Sequence, residues 1–172
     1  DRVVYLGRDD TLDRVIEGWR STLGGQPDAE AFLSQVADLT VSATAEKIEL
    51  FLSAQATLRK LDAIRRLPKD SEKAIEMIDD RIIMLVHDKA SLTEEDIANA
   101  TVIVYGKSDE PFRKQFGPRS FFTPGPLANG TYGLVQHGGD GDAYFSLEKT
   151  DGTIEWEEAI TMKRASRLRI SS

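Results

Sequence analysis

Residues 48–86, IELFLSAQATLRKLDAIRRLPKDSEKAIEMIDDRIIMLV, carry the apolar pattern on which the fold turns. Phe51, Ala54, Leu58 and Leu61 recur at steps of three, four and three residues, and Ile75, Ile78, Ile82 and Leu85 repeat those steps. Side chains spaced this way stack on one face of a helix. Between the two sets, Leu67-Pro68-Lys69-Asp70-Ser71 combines a proline stop with two capping residues. The pattern predicts two helices closed into an antiparallel hairpin. Arg65 falls where the first stripe should continue, as a snorkelling end residue or one that meets a carboxylate. Residues 82–86 are apolar on every side, so the second helix must be covered by several neighbours. The hairpin therefore reads as the centre of a bundle and not as an isolated coiled coil.

Outward from this centre, residues 3–6 read as a short strand or extended arm. Leu12, Val15, Ile16, Trp19 and Leu23 predict a helix ended by Gly24-Gly25, and Phe32, Leu33, Val36 and Leu39 predict another opened by Pro27. On the C-terminal side, Ser91-Leu92-Thr93-Glu94 fits a capping box at the head of a helix over residues 92–100. Residues 101–105 fit both strand and helix; Ile97, Thr101 and Val104 tip the reading to a helix that continues to Gly106. A further short helix is expected over residues 110–116. From Phe121 the character changes. Pro124-Gly125-Pro126, Asn129-Gly130, Gly138-Gly139-Asp140-Gly141-Asp142 and Asp151-Gly152 are spaced as hairpin turns are. Residues 131–136, 143–148, 153–160 and 168–170 then form an antiparallel meander of three or four strands. The fold class expected is α+β: an N-terminal helical bundle over residues 1–117 and a small antiparallel β subdomain over 118–172, packed on the helices or appended to them.

Composition narrows the function classes. A chain of 172 residues, 40% hydrophobic and 30% charged, buries a core without staples. It has no cysteine, which removes disulfides, thiolate catalysis and cysteine-rich zinc sites. A net charge of −7 argues against a general nucleic-acid binder. No apolar run approaches the roughly 20 residues of a membrane-crossing helix. The start at Asp1 without methionine reads as a processed protein or an excised fragment. The compartment stays open, with the cytoplasm favoured.

The chemistry-bearing residues are few. His137 stands beside the Gly/Asp-rich turn, with Asp140 and Asp142 behind it, and an imidazole with two carboxylates is a donor set for a divalent ion. A solvated hairpin turn explains the same letters, and the pattern lacks the alternating oxygens of an EF-hand loop. His87, after the apolar run 82–86, reads as a structural residue. Carboxylate pairs such as Asp79-Asp80 read as a solvated acidic face. Arg59 and Arg66 share a helical meridian in the densest basic stretch, and Lys163, Arg164, Arg167 and Arg169 form a second basic group. Phe112, Phe116, Phe121 and Phe122 gather at the junction, while Tyr132 and Tyr144 on strands are candidate contact residues of a binding groove. No nucleophile, phosphate-loop, zincin or dinucleotide motif occurs, so no catalytic residue is assigned and no cofactor is expected.

The leading expectation is a non-catalytic protein-interaction or structural module within a larger assembly, with a protein partner or a second copy of the chain. The alternative is an enzyme or a small-ligand- or metal-binding domain with its site around the loop near His137. The third is nucleic-acid binding through the two basic groups, which the acidic balance disfavours.

Overall fold

The computed structural model describes residues 2–26, 28–138 and 143–160 and divides into two compact units, Asp1–Arg66 and Leu67–Ser172. In the first unit, strand β1 (Val3–Tyr5) pairs in parallel with β2 (Ile64–Arg66), Val3 opposite Ile64 and Tyr5 opposite Arg66. Between them run helices α1 (Thr11–Thr22), α2 (Ala29–Ser42) and α3 (Ala45–Leu61). Asp28 caps α2 by accepting from the Ala31 N–H, and Thr44 caps α3 by accepting from the Lys47 N–H, each satisfying an otherwise orphaned donor. The rings of Phe32 and Phe51 stack at 6.1 Å, joining α2 to α3.

The second unit is built of two sheets. Strands β3 (Lys73–Ile78), β4 (Arg81–Val86), β5 (Val102–Tyr105), β6 (Phe112–Phe116) and β7 (Arg119–Thr123) form a five-stranded sheet in the order β3-β4-β5-β7-β6. Its centre, β4-β5-β7, is parallel, and an antiparallel hairpin closes each edge. Strands β8 (Thr131–His137), β9 (Ala143–Lys149) and β10 (Ile154–Ile160) form the second sheet, antiparallel, with β9 in the middle. Helix α4 (Glu94–Asn99) lies on the crossover from β4 to β5. Its capping box is Thr93 with Asp96, two residues later than the Ser91–Glu94 pairing expected from the letters.

The β-rich unit holds an aromatic core between its sheets. Phe122 of β7 meets Phe145 of β9 at 5.5 Å and Trp156 of β10 edge-on at 5.3 Å. Gly133 on β8 allows this packing, since an added Cβ there would stand 2.5 Å from the Phe122 ring. On the other face of the large sheet Met84, Val86, Ile103 and Tyr105 cluster with Ala100, and Leu92 and Ile97 pack against them.

The helical bundle expected over residues 1–117 is corrected here. The predicted second helix of the hairpin is two strands, β3 and β4, joined by a turn at Asp79-Asp80. Residues 101–105 and 110–116, read as helical, contain β5 and β6. The all-round apolar run 82–86 lies in a strand flanked on both sides and buried on both faces, which gives a parallel-sheet strand a continuous apolar sequence. The three strands of residues 131–160 are thus one sheet of a two-sheet unit and not a small appendage to helices. The Gly117-Pro118 stretch is the turn of hairpin β6–β7, with Gly117 at φ +58°. Residues 168–170 lie outside the described residues.

Candidate functional site

The first site residue follows from the β3–β4 turn. Two residues, Asp79 and Asp80, reverse the chain, and Asp79 takes the left-handed conformation at φ +56° that such a turn demands. Arg81 opens β4 and is only 4% exposed. Its Nε donates to the Ile160 carbonyl at 2.9 Å, and its Nη1 lies 3.4 Å from Asp79 Oδ2 and 3.7 Å from Asp80 Oδ1. His137 ends β8, and its Nδ1 is 2.9 Å from the same Asp79 oxygen. His137, Ala143 and Ile160 occupy one rung across β8, β9 and β10. The turn therefore grips a single rung of the opposite sheet at two points, through Asp79 and through Arg81.

A carboxylate can only accept, so the contact places a proton on Nδ1 of His137 and leaves Nε2 as the lone-pair nitrogen of the neutral ring. The His137 side chain is 58% exposed and that of Asp79 38%, so the ring is held from behind and open in front. An imidazole in this state can ligate a metal ion or accept a proton.

Asp140 and Asp142, the expected companions of His137, lie outside the described residues. Among the described residues no three His, Asp or Glu side chains stand close enough to hold a metal ion. Tyr132 and Tyr144 are not brought to His137. Strand alternation places both on the other face of their sheet, where the Tyr132 hydroxyl donates to Glu148 at 2.7 Å, a hydrogen bond that raises the Tyr132 pKa. Arg59 and Arg66 belong to the helical unit. Arg59 is exposed on α3, and Arg66 is engaged with Asp13 at 2.8 Å and with the Asp9 carbonyl at 2.9 Å. The second basic group, 163–169, lies outside the described residues.

His87, read as structural, stands at the opposite end of β4. Its carbonyl accepts from the N–H groups of Gly106 and Lys107, which ties the loop after β4 to the loop after β5. Lys107 Nζ pairs with Asp88 at 2.6 Å. That hydrogen bond, with a second from the Ala90 N–H, lowers the Asp88 pKa. Sequence reasoning missed Asp79 as a functional residue and did not single out Arg81. The available signal was Asp-Asp between two short segments rich in apolar residues, KAIEMI and RIIMLV, a hairpin turn that would have put both residues at one end of the sheet.

No family model and no curated protein matches this chain. Solved structures do. It is similar to Vps29 from Entamoeba histolytica complexed with Zn2+ (16% identity, TM-score 0.45, covering 63% of this chain and 76% of that one). It is also similar to a predicted phosphoesterase from Streptococcus pneumoniae (14% identity, TM-score 0.43, 57% and 71%) and to Vps29 from Cryptosporidium parvum (14%, 0.43, 64% and 76%). The expectation of a non-catalytic interaction or structural module built on a helical bundle is corrected by the chain's own strands. Beside the lack of a catalytic or cofactor motif, that expectation rests on a surplus of apolar positions on a helix over residues 82–86; those residues lie in β4, where Ile83, Met84 and Val86 are buried by the unit's own sheets and α4.

Proposed function

We propose that this chain is an enzyme-type, small-ligand-binding domain whose site lies at the end of the β-rich unit where His137 meets Asp79. The acting group is the His137 imidazole, and the ligand its chemistry fits is a divalent transition-metal ion bound at Nε2. The observation that carries the reading is the 2.9 Å contact of Nδ1 with Asp79, across 58 residues of sequence. Metal-ligating histidines usually have such an acceptor behind the ring, because it fixes the tautomer and raises the basicity of the other nitrogen. The sequence offers Asp140 and Asp142, three and five residues further on, as carboxylates for the same ion. A protein partner accompanies this reading, with Ile75 and Met77 exposed on edge strand β3 as its point of contact. Among the described residues no helix is long and apolar enough to cross a membrane.

Calorimetric titration of the intact chain with ZnCl2 and MnCl2 tests the proposal. Saturable binding is expected, abolished by His137→Ala and weakened by Asp140→Ala and Asp142→Ala. Binding that survives His137→Ala unchanged, or no binding at millimolar metal, overturns it.

A further inference from the structure

Among the described residues of the β-rich unit, Arg81 is a deeply buried cation that the proposed chemistry leaves without a role. Arg81 lies at the mouth of the two-sheet core, 4% exposed, one residue after the two-residue turn that carries Asp79. A guanidinium stays ionised at any ordinary pH, and its planar fork fixes the directions of its N–H groups. Here the fork spans two sheets, with Nε on the Ile160 carbonyl at 2.9 Å and Nη1 on Asp79 Oδ2 at 3.4 Å. That oxygen is the acceptor of His137 Nδ1. The Ile160 carbonyl, Arg81, Asp79 and His137 therefore form one continuous polar chain that begins and ends on the same rung of the smaller sheet.

We infer that Arg81 is the positioning residue of the His137 site: it holds the Asp79 carboxylate against Nδ1 and so keeps the Nε2 lone pair outward. The inference rests on the reading that His137 is the acting group. The physical need is plain. Asp79 sits on a turn and is more than a third exposed, and an exposed carboxylate without a second tether samples several rotamers. Arg81 is buried and anchored at its other end, so the oxygen it engages has one favoured position. A lysine cannot replace it, since one ammonium on a flexible stem lacks the fork that reaches the Ile160 carbonyl and Asp79 in fixed directions.

The test reads the tautomer of His137 in long-range 15N–1H spectra of the metal-free chain at pH 8, so it does not depend on metal binding. The wild type is expected to show Nδ1–H with an unprotonated Nε2. Arg81→Met, checked for folding by its amide spectrum, is expected to move the ring towards Nε2–H, the form free imidazole side chains favour, and to weaken zinc binding about tenfold, the lower end for loss of an outer-shell partner. Arg81→Lys is expected to move it in the same direction. A folded Arg81→Met that keeps the wild-type tautomer overturns the inference. Should that variant not fold, Arg81→Lys decides by the same criterion. The wild type supplies a further check, because an Arg81 Nε–H that exchanges as fast as a solvent-exposed guanidinium contradicts the anchoring. Zinc failing to bind the wild type would refute the proposed function and leave the tautomer result standing.

Discussion

The two histidines of this chain stand at opposite ends of the same unit, and their surroundings differ in kind. At the carboxyl end of β4, His87 is followed by Asp88, whose carboxylate is taken up by Lys107 and by the Ala90 N–H. The two loops there are bonded to each other through the His87 carbonyl. At the amino end, Asp79 turns its carboxylate onto the back of His137, and the guanidinium that compensates its charge is buried. One end uses its charges to join loops; the other uses them to hold a ring that is 58% exposed.

The largest expected effect breaks both ends together, since they share one core. Phe122→Ala removes the ring that meets Phe145 and Trp156 and should cost about 3–5 kcal/mol in urea unfolding. Amide exchange should then rise at His87 and His137 alike; a loss confined to one end would mean that the ends are independently stable. Next, Asp79→Asn separates them. Asparagine tolerates the positive φ of the turn, so the fold should persist while zinc affinity falls about 10- to 100-fold in calorimetry. Lys107→Ala is the mirror test: zinc affinity should stay unchanged, and the Asp88 carboxyl, followed by NMR titration, should rise towards the usual carboxylate range. A fall in zinc affinity in this variant would move the site to the other end.

The smallest effect is one of pH. Asp96 belongs to the same side as His87, because its partner Lys73 stands opposite Val86 on the β3–β4 ladder. The Lys73 ammonium, followed by the N–H and hydroxyl of Thr93, holds the Asp96 carboxyl at about 2. A carboxyl whose folded pKa is depressed contributes stability that is complete above its unfolded value, near 4, and that is lost as pH falls through the folded one. Helix α4 should accordingly loosen between about pH 4 and pH 2, visible as faster amide exchange at 94–99. Asp96→Asn should remove that pH dependence.

Much of the helical unit was legible because its signals are local. The apolar stripes read from the letters, such as Leu12, Val15, Ile16 and Trp19, fall on helices α1 to α3. The β-rich unit was misread for a reason that lies in the letters themselves. Ile75, Ile78, Ile82 and Leu85 fit helical spacing, yet they fall on two strands, the edge strand β3 and the inner strand β4 whose apolar run has no period of its own, and chance agreement with 3.6 is easy. The better discriminators were the β-branched content of residues 82–86 and 101–104 and the Asp79-Asp80 turn between runs too short for helices. Of the proposed site, the letters single out His137 through its glycine-rich neighbourhood, whereas Asp79 and Arg81 are distant in sequence and reach it only through the pairing of β3 with β4 and the stacking of two sheets, which no local pattern encodes.

The most direct test of the central claim follows both histidines at once, by recording 15N resonances of the imidazole rings during addition of ZnCl2 to the intact chain. Nε2 of His137 is expected to shift and saturate while both nitrogens of His87 stay in place. A response of His87 with His137 silent, or of neither ring, would contradict it.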